Sequence, residues 1–185
     1  MAVRLRRLGE ELGDALRVES RAFALRPAPA RGVAFTGTYR EEGWRRCAAM
    51  SAGDGIRFTP WPHGELPGGS LPALEAAKCV KKQSEELFET VHLGLYEAFF
   101  AESRNIADPA VVRDVVAAAG ADMARFDADC EAGIGRAAVL NDLEAATAEH
   151  GVTAIPTVVV VETGRVLVGL AEAAAYRAAV EQAFA

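Results

Sequence analysis

The sequence predicts an α/β fold in which strands flank a helical middle, and three observations predict it. Leu5, Leu8 and Leu12 recur at helical spacing ahead of an extended run from Leu16 to Leu25. Helix-patterned segments fill most of the chain from Ser70 to His150. A β-branched run from Thr157 to Val161 is then followed, across Glu162-Thr163-Gly164, by a second run from Arg165 to Val168. Helices that interrupt a set of strands are better explained by one mixed sheet with a helical insertion than by two separate domains. The 185 residues are therefore read as a single domain, with 1-29 and 151-185 as the sheet portion and 30-150 as a loop region and helical insertion.

The first helix has no Ser, Thr, Asp or Asn to cap it, and Gly13-Asp14 ends it. The extended run that follows is expected to be a strand, broken by Arg26-Pro27-Ala28-Pro29. From Ala30 to about Gly69, glycine and proline predict loops that hold neither a ladder nor a helix, apart from one helix over Tyr39 to Met50 carrying Trp44 and Cys47. Ser70 is placed to cap a long helical stretch, with Pro72 tolerated in its first turn and Phe88, Val91, Leu95 and Phe99 as its buried stripe. Asp108-Pro109 opens another helix, in which Val112, Val115 and Val116 lead to a left-handed stop at Gly120. Further helices are expected over Ala121 to Ala132 and Ile134 to His150, then the hairpin, then an amphipathic helix on Tyr176, Val180 and Phe184.

Composition narrows the function. A hydrophobic share of 51% against 25% charged residues is enough to bury a core. A net charge of -6 supplies nothing to neutralise a run of phosphates, which excludes nucleic acid and an anionic membrane surface as partners. The short basic clusters, Arg4, Arg6 and Arg7 and then Lys78, Lys81 and Lys82, read as solvated faces. No run reaches the roughly 18 to 20 apolar residues of a membrane span, and no secretory signal is visible. Arginine and alanine dominate over lysine, which suggests a GC-rich bacterial source.

Cys47, Cys79 and Cys130 lie far apart in the sequence, with neither metal-ligand nor redox spacing. Cys79 reads as a small buried hydrophobe, because a reactive thiol needs exposure and a depressed pKa. His63, His92 and His150 are too scattered for a metal site or a nucleophile–histidine pair, and His150 suits a helix end. Trp44 and Trp61 read as packing residues, with a groove lining as the alternative. Glu10, Glu11, Glu85 and Glu86 fall on polar helix faces.

Several stretches together resemble the bacterial DsbA-like thioredoxin-fold family, in particular the branch of FrnE-like oxidoreductases and 2-hydroxychromene-2-carboxylate isomerases. They are Leu5-Arg6-Arg7-Leu8, Leu16 to Leu25, Ser70 to Lys78, Ala98-Phe99-Phe100 with Asn105-Ile106, and above all Gly151-Val152-Thr153-Ala154-Ile155-Pro156-Thr157. The resemblance implies a thioredoxin-like fold with a large helical insertion, and a cis Ile155-Pro156 bond, which an X-Pro peptide permits. It also implies that Ala154, Ile155, Pro156 and Thr157 bind a protein or small-thiol substrate, the backbone of Ile155 pairing with an extended chain. No cofactor is implied, and the branch points to the cytoplasm.

The family's first central strand and its active-site motif, Cys-x-x-Cys or a serine variant, have no counterpart here. Thiol–disulfide exchange needs a thiolate stabilised at a helix N-terminus and a second, resolving thiol. The chain is therefore expected to be a DsbA-like oxidoreductase truncated at its N-terminus. The alternatives are a non-catalytic binding module or relic and a glutathione-dependent isomerase. Loss of a central strand would leave buried groups unpaired at about 1 to 3 kcal/mol each, so the chain as written is expected to fold poorly.

Overall fold

The computed structural model describes residues 1–28 and 31–184; Pro29 and Ala30, at the expected strand break, lie outside them. In chain order the elements begin with α1 (Ala2–Leu12), β1 (Val33–Ala34), α2 (Tyr39–Met50) and β2 (Glu65–Leu66). The helices α3 (Leu71–Lys81), α4 (Glu85–Tyr96), α5 (Pro109–Ala118), α6 (Met123–Glu131) and α7 (Ile134–Glu144) follow. The chain closes with β3 (Thr157–Val160), β4 (Arg165–Val168) and α8 (Ala173–Glu181).

Two compact units result, Met1–Phe23 with Leu143–Ala185, and Ala24–Asp142. Local bonding marks both ends of the second unit. Ser70 and Arg26 exchange hydrogen bonds at 3.1 Å, Ser70 N–H to the Arg26 carbonyl and Arg26 N–H to Ser70 Oγ, which ties the segment after Phe23 to the second unit. At the other end Asp142 of α7 forms a buried ion pair with Lys78 of α3.

In the first unit, Leu8 of α1 packs with Tyr176 and Val180 of α8, and Val158 and Leu167 of the hairpin cover them. Arg4 is buried and not part of a solvated face, its guanidinium donating to the Ala171 carbonyl at 2.5 Å and lying 3.4 Å from Glu172. Phe184, expected on the buried stripe of the last helix, lies beyond the end of α8 and is exposed. The expected strand at Leu16 to Leu25 does not form. Leu16 has extended angles, φ −130° and ψ 118°, but no strand among the described residues ladders with this run. With Val18 as its one β-branched residue, the run has little to hold it as a strand without a neighbour.

The second unit is built on α3, α4, α5 and α6, around Cys79, Val80, Phe88, Val91, Val112 and Val116. The expected long helix is two, because Ser84 starts a new one: its side chain accepts from Leu87 N–H at 3.1 Å. Ser70, the expected cap of α3, makes no capping bond, since its hydroxyl accepts from Arg26. Asp108 caps α5 as its sequence predicts, accepting from Ala110 N–H at 2.9 Å, and Gly120 adopts φ +84° just after it. The loop region does hold a ladder, β1 paired antiparallel with β2, Val33 opposite Leu66, and two residues between Gly64 and Pro67 suffice for it. Trp44 packs among Phe35, Phe58, Trp61, Phe99 and Phe100 at centroid distances of 5.1–5.8 Å, and its indole N–H donates to the Thr59 carbonyl.

Candidate functional site

The proline loop enters β3 from the π-helical turn Ala145–Glu149 that continues α7. His150 closes that turn, and Val152 N–H donates to the Ala146 carbonyl at 2.8 Å, which anchors the start of the loop. The Ile155–Pro156 peptide is cis. Thr157 Oγ1 donates to the Ala154 carbonyl at 2.7 Å and so closes the loop on itself. Pro156 half-buries, while Ile155 stays 41% exposed. The four expected binding residues therefore form one short, internally braced turn.

The hairpin sets the direction of every backbone group beyond that turn. Thr157 stands opposite Val168, Val158 opposite Leu167, Val159 opposite Val166 and Val160 opposite Arg165. Gly169 N–H donates to the Pro156 carbonyl at 2.8 Å, so the bonded pairs alternate from there. Val158 and Val160 face β4 with their amides and carbonyls, whereas those of Thr157 and Val159 point to the opposite edge. Among the described residues this sheet has only the strands β3 and β4, and no ladder runs along that edge. One face of the hairpin, Val158 and Leu167, packs on Leu8, Tyr176 and Val180, while Val166 and Val168 on the other are 48% and 66% exposed. A run apolar on both faces is the pattern of a strand buried on both sides.

No cysteine belongs to this unit: Cys47, Cys79 and Cys130 all fall within Ala24–Asp142. Cys47 on α2 is exposed. Cys79 and Cys130, distant in sequence and without redox spacing, are brought together, with their Sγ atoms 3.6 Å apart between α3 and α6. Sequence spacing missed this pair; the available signal was that Cys130 follows the buried Phe126 by four residues and so shares its helix face. Burial pushes the Cys130 thiol up to about 12, reinforced by the Cys79 thiol and by Asp127 and Glu75. Burial also raises the Cys79 thiol, against the pull of hydrogen bonds from Cys130 and the Gly135 backbone.

A cavity of about 600 Å³ opens in the second unit, lined among others by Arg26, Trp61, His63, Glu75 and Arg136. It shares no lining residue with the proline loop. Its cations are already engaged, Arg136 with Glu75 at 2.8 Å and Arg26 with the Pro67 carbonyl at 3.3 Å. His63 stands edge-on to Trp61, and His92 stacks on Phe88 at 5.2 Å beside the Tyr96 hydroxyl. Burial holds His92 below its usual value, helped by Lys81. Among the described residues no group of three His, Cys, Asp or Glu side chains could hold a metal ion, and no helix is long and apolar enough to cross a membrane.

Comparison with known proteins places these features. The family model described as a DSBA-like thioredoxin domain matches residues 2–181. Among solved structures, a candidate protein disulfide isomerase from Nitrosomonas europaea superposes with a TM-score of 0.76 at 16% identity. The superposition covers 98% of this chain and 88% of that one. No curated protein matches in sequence.

Proposed function

Because this chain belongs to the DSBA-like thioredoxin domain family, we propose that it works as a thiol–disulfide oxidoreductase whose substrate turn is Ala154, Ile155, Pro156 and Thr157. The Cys-x-x-Cys pair that performs exchange lies, in this reading, outside residues 1–185. The observation that carries it is the outer edge of β3. Thr157 and Val159 direct their backbone groups there, no described strand answers them, and the strand is apolar on both faces. A further strand on that edge would complete the sheet and could deliver a thiol beside Ile155. The substrate is an extended protein segment or a small thiol, held by main-chain hydrogen bonds at the exposed Ile155.

The experiment is a titration of the isotope-labelled chain with an extended peptide carrying one blocked cysteine, followed through backbone amide shifts. Saturable shifts centred on Ala154, Ile155 and Thr157 are expected. Shifts confined to the Arg26–Trp61–Arg136 cavity would remove the proline turn from the account. A second reading, a binding module without exchange chemistry, is favoured by the absence of any Cys-x-x-Cys from the 185 residues. It predicts the same shifts and no redox motif in the continuous coding sequence; a serine at the first motif position there would instead favour the glutathione-dependent isomerase.

A further inference from the structure

The helical unit carries a thiol pair for which substrate binding at the proline turn has no use. Cys79 lies on α3 and is fully buried, Cys130 lies at the surface on α6, and their Sγ atoms stand 3.6 Å apart. A disulfide needs about 2.05 Å, so each sulfur has to move by less than about 1 Å, within reach of small side-chain rotations. The backbone behind Cys79 is fixed, because Gly135 of α7 packs against the same turn of α3: a Cβ at Gly135 would lie 2.8 Å from Cys79 Sγ.

We propose that Cys79 and Cys130 form a reversible disulfide that staples α3 to α6 when the chain meets a small-molecule disulfide such as oxidised glutathione. The steps balance as ordinary exchange. Cys130, the accessible partner, loses its proton and attacks one sulfur of the oxidant, forming a mixed disulfide and releasing one thiolate. Cys79 then loses its proton and attacks Cys130 Sγ, which closes the internal bond and expels the second thiolate. Both released thiolates take up protons. Two cysteine thiols are oxidised and one disulfide is reduced to two thiols.

The second step is favoured by position, since the resolving sulfur already lies beside the mixed disulfide. The first is slow at neutral pH, because burial and the carboxylates of Glu75, Asp127 and Asp129 around the pair disfavour the thiolates, with Arg125 turned to Asp129 at 4.0 Å. That slowness separates the pair from a catalytic couple and suits a staple set under sustained oxidation. The proposal involves neither the proline turn nor any residue outside the chain, so it stands or falls independently of the oxidoreductase reading.

The test uses the full chain with Cys47→Ser, which removes the exposed third thiol. Incubation with oxidised glutathione at mildly alkaline pH is expected to consume both remaining thiols and to leave a protein two hydrogens lighter, with no glutathione attached. Its Tm should rise by up to about 10 °C, as closure of a loop of this length allows, and dithiothreitol should reverse the rise. Adding Cys79→Ala should trap glutathione on Cys130, and adding Cys130→Ala should block the reaction. A stable glutathione adduct in the Cys47→Ser chain, or two thiols that survive oxidation while Cys47 of the unaltered chain reacts, would overturn the disulfide. A Tm that stays level or falls on oxidation would overturn the staple.

Discussion

Gly135→Ala tests how closely the helical unit is packed. Gly135 is buried in the first turn of α7, where alanine should ordinarily stabilise the helix by about 1 kcal/mol. Here the new methyl would lie 2.4 Å from the Glu75 carbonyl oxygen, 2.8 Å from Cys79 Sγ and 2.9 Å from the Glu75 carbonyl carbon. Ordinary carbon–oxygen contact is near 3.3 Å, so α7 and α3 must part by roughly 1 Å, and backbone cannot yield as a side chain can. Overpacking of this kind costs about 1 to 3 kcal/mol. The same movement strains two ion pairs between these helices, Arg136–Glu75 and Lys78–Asp142. Set against the helix gain of about 1 kcal/mol, this leaves a net loss of up to about 2 kcal/mol. Thermal unfolding should show this as a fall in Tm of up to about 8 °C. Gly94→Ala is the control: its methyl meets only Val115 Cγ1 at 3.1 Å, a side chain able to turn away, so that variant should match or exceed the parent. A Gly135→Ala chain as stable as Gly94→Ala would refute the close approach of α7 to α3.

Other outcomes follow from single contacts. Asp142→Ala leaves the Lys78 ammonium, 12% exposed, without its carboxylate, and should cost about 3 to 5 kcal/mol by denaturant unfolding; replacing both residues with apolar ones should restore much of that. Ser84→Ala removes the cap of α4 and should cost about 1 kcal/mol, whereas Ser70→Ala should not act through a cap of α3. In the folded chain His92 is held below the ordinary histidine value of about 6.5, chiefly by burial. The unfolded chain therefore binds the proton more readily, and stability should fall as pH drops from 6.5 towards the folded value. His92→Gln should flatten that part of the pH–stability curve; an unchanged slope would show that another group sets it.

Legibility in the sequence followed how local the cause was. The helix Tyr39–Met50, the Asp108 cap, the Gly120 stop and the hairpin at Thr157 and Arg165 depend on a few neighbouring residues, and each formed where its pattern lay. The failures have distant causes. Ser70 could not be seen to prefer Arg26, 44 positions earlier, over its own helix. The run from Leu16 lacks a ladder because a strand needs a neighbour, which composition cannot supply. Arg4 and Lys78 read as solvated because their partners, Ala171 with Glu172 and Asp142, are remote in sequence. Cys79 and Cys130 read as isolated for the same reason. Of the proline turn, the sequence showed residue types and family resemblance, whereas the direction of the β3 edge required the register.

The proposal that exchange chemistry reaches the Ala154–Thr157 turn from a thiol outside residues 1–185 can be checked in the in-frame codons upstream of Met1. An apolar strand ending in Cys-x-x-Cys is expected within about 15 to 25 codons, enough for one strand, its turn and a helix start. An in-frame stop with no such segment would contradict it and favour the binding module without exchange chemistry.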